Sequence, residues 1–120
     1  MDIIEVIRSL PQGTVVSRSA TASELEVKGW GHRRSLPALI YYIPNRSGGR
    51  RYEKGVTVDE WRQAYEVLSS EGKLSRQWAQ KHIPACLKEG SCNFTAIGGV
   101  FCLLGIAEYA GPGVYRKIGL

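Results

Sequence analysis

The chain has 120 residues, of which 43% are hydrophobic and 22% are charged, and its formal net charge is +5. This length suits one compact domain, and the composition is not that of a disordered chain. Three cysteines are too few and odd in number for a disulfide scaffold. No apolar run reaches the roughly 18 to 20 residues of a membrane-spanning helix, and the start of the chain lacks the pattern of a secretory signal. These features predict a soluble, unprocessed, cytoplasmic protein of a single domain (residues 1–120), without membrane contact.

The excess positive charge is concentrated in one segment. Residues 32–54 contain six basic residues against the single acid Glu53, whereas the rest of the chain has ten of each sign. Concentrated positive charge favours polyanionic partners, because each neutralised phosphate releases condensed counterions. The competing interpretation is a solvated basic loop that only aids solubility. The six basic residues are Arg33, Arg34, Arg46, Arg50, Arg51 and Lys54.

The first 56 residues predict a short helix and a small antiparallel sheet. Asp2 can cap the helix, and Pro11 stops it. The strands are indicated by alternation of apolar and polar residues and by branched and aromatic side chains. We expect the helix at residues 2–9, strands at 14–17, 25–30 and 36–43, and a basic, turn-rich loop at 44–55.

From Thr57 onwards the pattern is helical. Thr57 and Glu60 form a capping box, and apolar residues behind it recur at spacings of three and four up to Gly72. A second helix is expected to begin at Ser75 and to end before Pro84. The segment that follows, 84–92, is predicted to be a turn.

Residues 91–118 predict a third helix followed by a hairpin. The side chains of Phe94, Ile97, Phe101 and Leu104 share one helical face, and Ser91 or Asn93 can cap the helix. Gly105 is placed to end it. Two alternating strands then flank a tight turn at Gly111, Pro112 and Gly113.

In this order of elements, residues 57–118 resemble a winged helix-turn-helix domain, most closely from Phe94 to Lys117. The expected fold is therefore α+β: an N-terminal helix and small antiparallel sheet (1–56) joined to a winged-helix-like unit (57–118). In that family the third helix enters the major groove and the wing touches the flanking backbone. The resemblance thus implies a regulatory or architectural DNA-binding protein, with duplex DNA as the expected partner.

The polar face of the third helix departs from that of a major-groove reader, since it offers no arginine, lysine or glutamine for bidentate base contacts. We therefore expect contact mainly with the phosphate backbone. In the basic loop, Tyr41, Tyr42 and Tyr52 lie near arginines, an arrangement that suits stacking on bases, although core tyrosines explain it equally. The predicted contacts outside that loop are Arg76, Lys81, Asn93, Thr95, Arg116 and Lys117.

Two glycines inside the third helix, Gly98 and Gly99, cost it about 1 kcal/mol each relative to alanine. Close packing within the domain, packing between subunits or the approach of a phosphate backbone can offset this cost. The alternative function is therefore a protein-interaction or self-association module without a nucleic-acid role. In that case the Gly98/Gly99 face forms a homo-oligomer.

Enzymatic and metal chemistry have weaker support. Glu24, Glu26 and Lys28 form an E-x-E-x-K run on a predicted strand, which admits a third hypothesis, a metal-dependent nuclease. A solvent-facing strand surface explains the same run without any function. The residues His82, Cys86, Cys92 and Cys102 lack the spacing of zinc ligands, and Pro84 separates His82 from Cys86 as a possible base and nucleophile. We predict a binding protein rather than an enzyme, with no metal and no cofactor.

Overall fold

The computed structural model describes residues 2–18, 23–45 and 47–119, which form helices and two antiparallel sheets. The α+β class expected from the sequence is confirmed. The helices are α1 (Ile3–Arg8), α2 (Val58–Glu71), α3 (Arg76–His82), α4 (Pro84–Glu89) and α5 (Cys92–Leu103). The strands are β1 (Val15–Ser17), β2 (Glu24–Arg33), β3 (Leu36–Ile43), β4 (Tyr52–Thr57), β5 (Lys73–Ser75), β6 (Ala107–Gly111) and β7 (Val114–Lys117).

The first sheet is an antiparallel meander in the order β1-β2-β3-β4. Along β2 the side chains alternate as predicted: Leu25 and Val27 are buried, whereas Glu24 and Lys28 are exposed. Because successive side chains of a strand point to opposite faces, one face of this sheet packs on the core and the other carries charge.

The turn between β2 and β3 holds two residues in an unfavourable backbone conformation. Arg34 and Ser35 both have positive φ, at 51° and 63°. A two-residue hairpin turn of this kind favours glycine or asparagine, because a Cβ at positive φ crowds the backbone. We expect Ser35→Gly to raise the free energy of unfolding by about 0.5 to 1 kcal/mol, as measured by urea denaturation with an unchanged slope. A less stable variant would contradict the turn geometry.

The predicted caps of α2 and α3 are confirmed, whereas the cap expected for α5 at Ser91 or Asn93 is not formed, because Ser91 makes no side-chain capping bond and Asn93 lies within the helix. The Thr57 hydroxyl accepts from the Glu60 backbone N–H at 3.3 Å, and the Glu60 carboxylate accepts from the Thr57 N–H at 2.9 Å. Gly72 ends α2 in the left-handed conformation, with φ at 80°. Ser75 caps α3 by accepting from Trp78 N–H at 3.1 Å.

Three elements were not predicted. Strand β4 occupies part of the expected loop and pairs with β3 from Ile43–Tyr52 to Ala38–Thr57. Its glycine and charged residues have low strand propensity, so the pairing with β3 stabilises it as a strand. Helix α4 replaces the expected turn, because Pro84 both ends α3 and stands at the first position of a new helix, where its missing N–H costs nothing. Strand β5 is only three residues long and pairs with β7.

The second sheet has the order β5-β7-β6, and β6 and β7 form the predicted hairpin around Pro112. Helix α5 contacts β1 and β4 of the first sheet and β6 of the second. One hydrophobic cluster of the described residues joins Leu25 of the first sheet, Phe101 of α5 and Tyr115 of the second sheet. None of the helices described here combines the length and apolar composition needed to cross a bilayer.

Candidate functional site

Helix α5, the expected DNA-reading helix, is enclosed by the rest of the chain. Every residue from Asn93 to Phe101 is buried. A Cβ at Gly98 would lie 2.1 Å from the Tyr115 ring, and one at Gly99 would lie 2.7 Å from the carbonyl oxygen of Ser17. The absence of a side chain at these two glycines therefore allows the two sheets to pack closely against α5. The prediction that Gly98 and Gly99 form an open face for self-association is wrong, because Tyr115 and Ser17 of the same chain cover that face.

The two predicted DNA contacts on α5 are also corrected. The Asn93 side chain accepts from the Tyr41 hydroxyl and donates to the Cys86 carbonyl at 2.8 Å. The Thr95 hydroxyl donates to the Cys92 carbonyl at 2.9 Å. Asn93 has no exposed surface and Thr95 only 5%, because the first sheet packs against this end of the helix. Neither is reachable by a DNA duplex, and α5 cannot enter a major groove.

The buried network around Asn93 keeps its tyrosine protonated. Burial raises the pKa of the Tyr41 phenol, and the neighbouring Cys92 thiol acts in the same direction. A protonated phenol donates its hydrogen to the Asn93 carbonyl oxygen. Tyr41 is thus a core residue, which is one of the two interpretations that the sequence allowed, and it is not exposed for stacking on a base.

Half of the predicted basic cluster joins the first sheet to the helices. Arg33 donates to the Gly55 carbonyl and pairs with Glu89, and Arg34 pairs with Glu89 and with Glu60, the latter at 2.7 Å. The Lys54 ammonium donates to the Glu89 carbonyl at 3.3 Å. These three cations are already partnered within the fold. Arg46 lies outside the described residues.

The outer face of the first sheet carries a second set of paired charges. Arg51 pairs with Glu26 at 3.1 Å and lies 4.1 Å from the centre of the Tyr42 ring. Lys28 pairs with Glu53 at 2.8 Å, and this hydrogen bond raises the Lys28 pKa. In the E-x-E-x-K run, Glu26 and Lys28 are therefore each held in an ion pair with a residue of β4 or its preceding loop. Within the residues the structure describes, no group of three His, Cys, Asp or Glu side chains could hold a metal ion.

The predicted contacts of the hairpin are partnered as well. Arg116 donates to Glu108 at 2.9 and 2.5 Å, and the Lys117 ammonium donates to the Ser69 carbonyl at 3.2 Å. By contrast, Arg50 and Lys81 are exposed. Among the ion pairs between described residues, none includes Arg50, Arg76 or Lys81. Lys54 and Lys117 are also outside these ion pairs, and Arg76, like them, donates to a backbone carbonyl. Arg76 differs from the two lysines because it lines a cleft.

A cleft of about 790 Å³ opens between the β3–β4 loop and the first turn of α5. Its polar lining comes from the loop, from the start of α5 and from two arginines. These residues are Asn45, Ser47, Tyr52, Ser91, Cys92, Thr95, Arg18 and Arg76.

The two arginines are held at the first turn of α5. The Arg76 guanidinium donates to the Ser91 carbonyl at 3.3 Å and lies 4.9 Å from the centre of the Phe94 ring. Its backbone N–H donates to the Gly113 carbonyl at 2.8 Å, which ties the hairpin turn to the same place. Arg18, only 7% exposed, donates to the Thr95 hydroxyl at 3.4 Å. The β3–β4 loop and the start of α5 thus meet at this cleft, and the hairpin turn is tied to Arg76 beside it.

A second depression of about 500 Å³ adjoins the cleft and shares Arg76 with it. Gln77, Gln80 and the hairpin turn line its other sides. None of the described residues lining either cavity is acidic. Three further depressions on the molecule each contain at least one carboxylate, from Glu66, from Asp59, or from Glu24 and Glu26. Among the described residues that line these two cavities, Arg18 and Arg76 are therefore the charged ones, and both are basic.

The cysteines behave as ordinary thiols. All three are free, and burial raises the pKa of Cys86 and of Cys102. A thiol held protonated is a poor nucleophile and a poor metal ligand. Cys86 is fully buried, which also leaves no access for a substrate.

Sequence reasoning identified Arg76 but missed Arg18, Asn45 and Cys92 as cleft residues. A single arginine after a three-residue strand carries no local signal of a binding role. Arg18 reaches the cleft only because β1 packs beside α5, which brings Arg18 next to Thr95, a residue 77 positions further along the chain. Comparison of the chain with protein-family models, with curated proteins and with solved structures finds no significant match.

Proposed function

We propose that this protein binds nucleic acid through the surface around Arg76. The observation that carries the proposal is a pair of adjoining cavities that share Arg76, one between the β3–β4 loop and the start of α5 and one beside the hairpin turn. Their described lining includes Arg18 and Arg76 and no carboxylate. Such a surface favours phosphates, because each contact releases condensed counterions from the nucleic acid. The expected contacts are Arg76, which lines both cavities, and the exposed Arg50 and Lys81, all to the phosphate backbone.

We propose further that the C-terminal half is a winged helix-turn-helix unit with α2, α3 and α5 as its helices and β6–β7 as its wing. The order of elements and the sheet order β5-β7-β6 support this assignment. The proposed role is regulatory or architectural, and because α5 is buried its contacts are to phosphates rather than to base edges. The three free thiols support the predicted cytoplasmic location.

The test of binding is a fluorescence anisotropy titration with a labelled blunt-ended duplex DNA at 50 and 200 mM salt. Three phosphate contacts give a slope of log K against log salt near −2.7, so the affinity should fall about 40-fold between the two concentrations. Binding that ignores salt, or no binding at 50 mM salt, would refute the proposal.

Single substitutions locate the surface. Arg50→Gln and Arg76→Gln should each reduce the salt slope by about one and weaken binding to any sequence alike. The matched control is Arg62→Gln, which removes the same charge from α2 beside Leu36. Leu36 lies at the end of β3 away from the cleft, roughly 23 Å along the strand. Equal losses in Arg62→Gln and Arg76→Gln would place binding elsewhere.

A further inference from the structure

We propose that the cleft receives one unpaired nucleotide of the bound nucleic acid, with its phosphate at Arg18 and Arg76 and its base on Tyr52. This inference rests on the proposed function and adds to it the kind of nucleic acid preferred. The expected ligand is a duplex that ends in a single-stranded overhang.

The shape of the cleft favours an unpaired nucleotide. Arg18 is 7% exposed, so a phosphate must enter the cleft to reach its guanidinium. The phosphates of an intact duplex lie on a broad convex surface between the grooves and cannot enter the cleft as far as the Arg18 guanidinium. A single nucleotide is small enough, since the cleft of about 790 Å³ is within the usual range of small-molecule sites.

The charges around the cleft suit a phosphate. Arg18 and Arg76 both donate to residues of the first turn of α5, and no acidic residue of the described chain lines the space between them. The Ser91 side chain makes no capping hydrogen bond to α5. The positive end of the helix dipole therefore adds to the two guanidinium charges.

Of the three tyrosines near the basic loop, Tyr52 is the one free to stack. Tyr41 is 1% exposed, and the Tyr42 ring has Arg51 over it at 4.1 Å and Lys28 at 5.6 Å. Tyr52 is 51% exposed and lines the cleft. A base can stack on an exposed aromatic ring regardless of its identity, so this contact adds affinity without sequence preference.

Cys92 provides a direct readout of cleft occupancy in the unaltered protein. Its thiol lines the cleft, Cys86 is fully buried, and Cys102 lies at the other end of α5 and outside the cleft. We would measure the alkylation rate of each cysteine by mass spectrometry with two ligands that share one duplex, one blunt and one with a three-nucleotide overhang. The overhang should slow alkylation of Cys92 at least tenfold more than the blunt duplex does, and both ligands should leave Cys102 unchanged.

Affinity measurements with Tyr52 variants give the second arm. Tyr52→Ala should weaken binding of the overhang duplex about five- to hundredfold, with Tyr52→Phe close to wild type and the blunt duplex unaffected by either. Arg76→Gln should weaken both ligands, since it contributes to both surfaces.

The outcomes separate this inference from the function on which it rests. Salt-dependent binding of both duplexes with equal affinity and an unprotected Cys92 would overturn the inference and leave nucleic-acid binding intact. Absence of binding by either duplex would overturn both. Protection of Cys92 by a free mononucleotide but not by the overhang would also overturn it, by assigning the cleft to a small ligand.

Discussion

We expect Gly98→Ala to lower the free energy of unfolding by about 3 kcal/mol. The added Cβ would lie 2.1 Å from the Tyr115 ring, and that ring is fully buried. It cannot move aside easily, because Phe94 and Tyr109 pack against it with ring centres 5.6 and 5.7 Å away. Overpacking a core costs about 1 to 3 kcal/mol or more, and the better helix propensity of alanine offsets only about 1 kcal/mol of a clash this severe. Urea denaturation measures the change.

A double-mutant cycle identifies the cause. Tyr115→Leu alone should destabilise the protein by opening a cavity, but in that background Gly98→Ala should cost little or become favourable. A full cost of Gly98→Ala in both backgrounds would show that the Tyr115 ring is not what the Cβ meets. Formation of a stable dimer lost in Gly98→Ala would instead restore the self-association interpretation of this face.

The second large effect concerns Asn93. Replacing it by alanine removes the Cys86 carbonyl's side-chain donor and leaves the Tyr41 hydroxyl only its weaker contact with Cys92 Sγ at 3.5 Å, in a fully buried site. An unsatisfied buried polar group costs about 1 to 3 kcal/mol, so Asn93→Ala should lower the free energy of unfolding by about 3 kcal/mol. In a Tyr41→Phe background the cost should be smaller, because the hydroxyl that loses its strongest acceptor is then absent.

DNA binding by the same variant decides between the two roles given to Asn93. If Asn93 is part of the core, the folded Asn93→Ala protein should bind duplex DNA with unchanged affinity and unchanged salt slope at a temperature well below its unfolding transition. A variant of wild-type stability that binds DNA more weakly would restore the original interpretation of Asn93 as a phosphate contact. Asn93→Asp is not a suitable control, since it adds a charge to the buried site.

The helix and strand predictions that succeeded depend on near neighbours in the sequence. The capping box of Thr57 and Glu60, the helix ending at Gly72 and the hairpin around Pro112 are contacts between residues a few positions apart. Their geometry follows from local backbone chemistry. Prediction fails where local chemistry is ambiguous: the sequence around Pro84 predicts only the end of α3, although Pro84 also begins α4.

The site predictions that failed depended on which face of each element remains open. From the sequence, the face of α5 with a threonine and two glycines is expected to be exposed. In the structure, however, Tyr115 packs on Gly98 and the Ser17 backbone packs on Gly99. Likewise, the sequence predicts Arg33 and Arg34 as free positive charge, whereas in the structure both pair with Glu89, more than fifty positions along the chain. Neither outcome has a local signal.

By itself, the sequence determined the α+β class, the main helix starts and stops, the terminal hairpin and the excess of positive charge, because each of these is a property of neighbouring residues or of composition. Only the tertiary structure decided that α5 is buried, which arginines are already paired, and that Arg18 and Arg76 meet at one cleft. The physical reason is that burial and ion pairing depend on distances between residues far apart in the chain, and those distances exist only once the two sheets have closed around α5.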